Sequence, residues 1–117
     1  YETCFQVNYL GHFYLTMLLL PSLQHAAKKQ GNESRVVCLS SVMHHFARPD
    51  VRTALHAARH SQSSDGYNDS KLLMILLALG LEDRKFEGVR ALAVNPGAVR
   101  SDIWRSVPRM IFPVFDC

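Results

Sequence analysis

The chain has 117 residues, enough for one ordinary domain and too few for two. Apolar types make up 48% and charged types 20%, which excludes a disordered tail, a collagenous or coiled-coil rod and a low-complexity linker. The formal net charge of +3 is too mild to argue for a nucleic-acid partner. Three cysteines, Cys4, Cys38 and Cys117, form an odd set without a CxxC pair. They fit free thiols in a reducing compartment, cytoplasmic or at a membrane surface, better than a disulfide framework. The first residue is Tyr1, no basic leader precedes an apolar run, and we expect the chain to be a piece of a longer one.

Residues 2–29 read as helix, with Phe5, Tyr9, Phe13, Leu15, Leu18, Leu19 and Leu23 at roughly helical spacing. Pro21 is expected to kink that helix or begin its last turn. Gln30-Gly31-Asn32 is a stop signal, and residues 34–40 (SRVVCLS) make a short strand of the kind covered on both faces in a parallel sheet. Residues 41–64 show little apolar periodicity, apart from a minor helix expected over 51–59 with Asp50 as its cap. Asp65-Gly66 opens a long helix over 67–86, ended by Gly88, and a second strand follows at 89–94. Asn95-Pro96-Gly97 must be a turn, because proline and glycine both resist continuing a strand or helix. Residues 101–105 and 107–115 read as irregular or short helix, the latter apolar enough to sit against a membrane. The longest apolar run, residues 72–81, falls well short of the ~18 residues that suggest a membrane span.

The order helix, strand, long helix, strand, turn is the pattern of a parallel α/β sheet with crossover helices. It supplies only part of one, since two parallel strands leave both sheet edges open. In such sheets ligands sit beyond the carboxyl ends of the strands. Ser40-Ser41 and Asn95-Pro96-Gly97 fill those positions here. Tyr67 and Lys71, four residues apart, project from one face of the long helix. An ammonium near a phenol favours the phenolate, and a phenol so placed can exchange a proton with a substrate oxygen near neutral pH. A neighbouring serine hydroxyl can hold that oxygen. The combination describes proton transfer at a C–O centre.

With these residues in that order, the chain resembles the central and later part of a classical short-chain dehydrogenase/reductase. The family's Tyr-x-x-x-Lys signature reads Tyr67-Asn68-Asp69-Ser70-Lys71, its catalytic serine matches Ser41 in VVCLSSV, and its helix asparagine matches Asn8 in FQVNYLGHF. Its Pro-Gly-x-x-x-Thr turn reads Pro96-Gly97-Ala98-Val99-Arg100-Ser101, with a serine that keeps the hydroxyl. The long Ser41-to-Tyr67 step, with SSVMHH, NYLGHFYLT and YNDSKL, resembles the retinol dehydrogenase and WW-domain-containing oxidoreductase branch.

The resemblance implies a partial Rossmann-type doubly wound sheet, with residues 1–117 as the catalytic half of the domain. It implies an NAD(P)-dependent oxidoreductase that moves a hydride between nicotinamide and an alcohol or carbonyl, such as a retinoid, a steroid or another lipophilic compound. NADP is favoured over NAD by the branch. On that reading Tyr67 is the general acid/base. Lys71 supports it and binds the nicotinamide ribose, Ser41 orients the substrate oxygen, and Asn8 holds a water that relays protons to Lys71. Pro96, Gly97, Val99 and Ser101 line the nicotinamide. A homo-oligomer built on the two apolar helices is also implied.

The family's glycine-rich phosphate turn has no counterpart here, since Gly11 and Gly31 stand alone. We therefore expect the chain by itself to be inactive, either as a fragment of an enzyme or as a non-catalytic remnant or interaction module of the same fold. His44-His45 and His56-x-x-x-His60 have the spacing of metal ligands, but no carboxylate or cysteine completes a set, and we expect no metal. Arg48, Arg52 and Arg59 make the same loop basic without interleaved aromatics, so a nucleic-acid surface is not expected.

Overall fold

The computed structural model describes residues 3–48, 50, 52 and 66–97. Helix α1 (Thr3–Phe5) runs through a π-helical turn (Gln6–Leu10) into α2 (Gly11–Gln30). The Gly11 amide bonds back to the Gln6 carbonyl, closing a wide π turn where the sequence pattern alone indicates an unbroken α-helix. Pro21 lies inside α2, exposed to solvent, and does not end it. Gly31, with φ +69°, ends α2 by donating its amide to the Ala27 carbonyl at 2.9 Å.

Strand β1 (Ser34–Leu39), helix α3 (Gly66–Asp83) and strand β2 (Val89–Val94) follow. The strands pair in parallel, Ser34 opposite Val89 through Leu39 opposite Val94. The ladder runs one bond further, from the Ser40 amide to the Val94 carbonyl at 2.8 Å. This is the partial Rossmann-type α/β arrangement that the sequence order indicates. Helix α3 is shorter than the apolar pattern suggests. It ends at Asp83, and Lys85 takes a left-handed φ of +51° in the turn toward β2. Glu82, still inside the helix, turns its side chain to β2: its carboxylate accepts from the Ala91 amide and from Arg90 Nε, and those bonds hold it below the usual carboxylate range. Gly88 is required twice over, by its φ of +70° and because a Cβ on it would lie 2.7 Å from the Ala27 Cβ.

One face of the sheet carries the core. Cys38 packs with Met74, Leu77, Ala78 and Leu81 of α3, and Val36, Ala91, Tyr9 and Met17 close around them. Phe5 and Leu73 form a smaller cluster beside it, which joins α1 to α3. The opposite sheet face shows Val37, Leu39 and Leu92 to solvent. On α2 the residues Tyr14, Leu15, Leu18 and Leu19 are exposed as well. No helix among the described residues is long and apolar enough to cross a membrane.

Candidate active site

The carboxyl end of the sheet and the first turns of α3 meet at one place. Tyr67 and Lys71 lie there one helical turn apart, with the Lys71 Nζ 5.5 Å from the centroid of the Tyr67 ring. Lys71 Nζ also donates to the Leu39 carbonyl at 3.2 Å, which sets it against the last residue of β1. Burial pushes the Lys71 ammonium below its ordinary range, and the negative charge that Cys4 carries when ionised acts against that shift.

The two serines after β1 are used differently. Ser40 is buried, and its hydroxyl donates to the Lys71 backbone carbonyl at 2.8 Å, so it is a structural tie. Ser41 is half-buried, and its Oγ accepts from the Met43 amide at 3.3 Å, capping the 3₁₀ turn Val42–Phe46. That bond uses one lone pair of the hydroxyl and leaves its proton and second lone pair to be directed elsewhere. His44 presents Nδ1 2.6 Å from the Ser41 carbonyl, and its ring stacks on His45 at 4.0 Å between centroids.

Asn8, in the π turn, is drawn to α3 by a hydrogen bond from its Nδ2 to the Ser70 hydroxyl at 3.2 Å. Ser70 is fully buried and donates in turn to the Tyr67 carbonyl at 2.7 Å. Asn8 is thus one residue removed from Lys71 along the helix, through a serine that sequence reading treats only as part of the motif. The signal was present, since a serine beside the lysine can bond back within its own helix turn. At the end of β2 the Gly97 amide donates to the Asn95 side chain at 3.1 Å, and Gly97 has φ +71°. This is the turn expected at Asn95-Pro96-Gly97. The strand pairing brings its start next to Ser40. Val99 and Ser101 lie outside the described residues, as do His56 and His60. Asp50 Oδ1 accepts from the Arg52 amide at 3.0 Å, as a cap would, while the rest of the expected helix over 51–59 lies outside the described residues. Among the described residues no group of three His, Cys, Asp or Glu side chains could hold a metal ion.

The chain is 38% identical over 109 residues to mouse polyprenol dehydrogenase, covering 90% of this chain and 32% of that protein. Human retinol dehydrogenase 12 is 40% identical over 106 residues, 90% of this chain and 32% of that protein. A dehydrogenase/reductase SDR family member from Arabidopsis thaliana, FEY, is 34% identical over 119 residues, 95% of this chain and 29% of that protein. The chain belongs to the short-chain dehydrogenase/reductase family. It spans about a third of the length of the curated relatives it matches. Retinol dehydrogenases among these relatives agree with the branch that the short-chain dehydrogenase/reductase motifs of this sequence resemble. No protein-family model matches the chain, and no solved structure does.

Proposed function

We propose that the protein is a nicotinamide-dependent oxidoreductase acting on an alcohol or carbonyl, with Tyr67 as its general acid/base. The observation that supports this reading is the placement of Tyr67 and Lys71 against Leu39 and Ser40, the two residues before Ser41, at the carboxyl end of a parallel strand pair, where open α/β sheets bind ligands. In reduction Tyr67 gives its phenolic proton to the substrate oxygen, and in oxidation it takes that proton back. The Lys71 ammonium stabilises the phenolate left behind. Ser41 donates to the same substrate oxygen and fixes its direction. Asn8, bound to the helix through Ser70, stands where it can order a water leading away from Lys71.

The residues present fit the nicotinamide end of the cofactor. Lys71 offers donors for a ribose hydroxyl, and at the turn of Pro96 and Gly97, among the described residues, nothing beyond the chain neighbours lies within 4 Å of where a Gly97 Cβ would stand. Val99 and Ser101 would continue that wall. When bound, the cofactor supplies or accepts the hydride. Both NAD and NADP have this end in common, and the branch resemblance favours NADP. The names of the relatives point to lipophilic alcohols. The turn after Ser41 supports that class, since it exposes Val42 and Phe46 beside the site. A homo-oligomer is supported by the exposed apolar side chains of α2, with Leu76 and Leu79 of α3.

Tyr67→Phe removes only the ionisable hydroxyl and should lower turnover of long-chain alcohols or aldehydes by a factor of about 10² or more. Cofactor binding should survive in that variant. Equal turnover in variant and parent would remove Tyr67 from the mechanism, whereas a parent without turnover would favour the non-catalytic interaction module.

A further inference from the structure

Three polar side chains are buried among the described residues: Asp69 and Ser70 in the first turns of α3, and Ser40, which follows β1 and bonds to that helix. Two of them are serines bonded to backbone carbonyls of that helix. Asp69 is a carboxylate, 5% exposed, and it reaches outside its own helix. One of its oxygens accepts from the Arg48 amide at 2.9 Å, and the other lies 3.2 Å from Arg48 Nε. Both oxygens are thus engaged by a single residue, one by its backbone and one by its side chain. A buried carboxylate is costly to the fold unless it is paired and hydrogen-bonded, and this one is both.

The position of Arg48 gives the contact its meaning. The backbone from Ser41 onward is bonded step by step: the Ser41 carbonyl accepts from His44 at 3.0 Å, and the His44 carbonyl from Ala47 at 3.1 Å. Arg48 follows at once. The segment is therefore held at its start by Ser40 on the Lys71 carbonyl and at its end by Arg48 on Asp69. Asp69 is two residues after Tyr67 and two before Lys71. At about 100° per residue it projects from the far side of the helix and does not compete with either for a ligand.

We propose that Arg48 and Asp69 form a clamp that holds the loop carrying Ser41 against the helix carrying Tyr67 and Lys71. They are positioning residues for Ser41. The catalytic consequence rests on the oxidoreductase reading above, whereas the clamp itself does not.

Amide hydrogen exchange over residues 42–48 and steady-state kinetics, both in the full-length protein that carries this chain, test the two parts separately. In Asp69→Ala the exchange of that segment should accelerate by roughly tenfold or more, because both ties are lost together. The kcat should fall by about the same factor, with the cofactor Kd unchanged within roughly twofold, as expected for a misplaced substrate-orienting group. Asp69→Asn keeps an acceptor for the Arg48 amide and should recover part of both losses. Arg48→Lys keeps the charge and should recover more than Arg48→Ala. The double variant Arg48→Ala/Asp69→Ala should be no worse than Asp69→Ala alone. If Asp69→Ala does not fold, Asp69→Asn and Arg48→Ala carry the same comparison. Unchanged exchange over 42–48 in these variants would overturn the clamp. Faster exchange with unchanged kcat would overturn the positioning role. A parent protein without turnover, whose variants still exchange faster, would retire the oxidoreductase reading and leave the clamp standing.

Discussion

From Tyr67 to Lys71, helix α3 is fixed by hydrogen bonds from several directions: Ser40 on one carbonyl, Asn8 through Ser70, and Arg48 on Asp69. From Leu73 to Leu81 it is fixed by apolar contact on one side, and Leu76 and Leu79 on the other side are exposed. The two stretches do different work. Hydrogen bonds are directional and set where a side chain stands, but each contributes only about 1 kcal/mol net. Apolar contacts are not directional and supply most of the stability. The helix therefore joins a positioned end, which carries the proposed site, to an anchored middle that keeps the helix on the sheet.

The largest effect that can break this comparison lies in the anchored stretch. Leu77 is 7% exposed at the centre of the main cluster, and Leu77→Ala should cost about 2–5 kcal/mol of stability, seen as a lowered calorimetric midpoint. A small loss there would mean that α3 is held chiefly by its polar end. A finer effect belongs to the positioned end. Burial lowers the Lys71 pKa, so the ammonium is lost at lower pH than in an ordinary lysine, and the alkaline limb of the kcat/KM profile should fall below the ordinary lysine range. The charge of an ionised Cys4 opposes that shift. Cys4→Ser removes its negative charge and should move the limb further toward neutral pH. A limb that stays still or moves upward would separate Cys4 from the site.

Much of this fold is legible in the sequence because its signals are local. The β-branched run at β1, the stop at Gly31, the turn at Asn95-Pro96-Gly97 and the apolar middle of α3 each follow from neighbouring residues, and β2 matches residue for residue. The π turn at Gln6–Leu10 is not legible in that way. Its only local trace is Asn8, and the bond that uses Asn8 reaches a residue 62 positions away. The same holds within the site. Tyr67 and Lys71 are four residues apart and read from the sequence as a candidate pair, and Ser41 reads as a candidate from its place after a strand. The separate duty of Ser40, and the link from Arg48 to Asp69, depend on segments brought together only by the fold. A spacing rule has no access to them. The end of α3 at Asp83 is not legible either, since the turn after it is made by Lys85 at a left-handed φ of +51°, a conformation its residue type does not signal.

Paired measurements of melting midpoint and turnover on Ser70→Ala and Leu77→Ala test the division of labour in α3 most directly. Ser70 is 0% exposed and links Asn8 to the Tyr67 carbonyl, so its loss should cost about 1 kcal/mol of stability. The same change should reduce turnover by roughly tenfold through displacement of Tyr67 and Lys71. Leu77→Ala should lower the midpoint further than Ser70→Ala, while keeping the higher turnover at temperatures where both variants remain folded. The two variants should rank in opposite orders in the two measurements. The same order in both would contradict that division of labour.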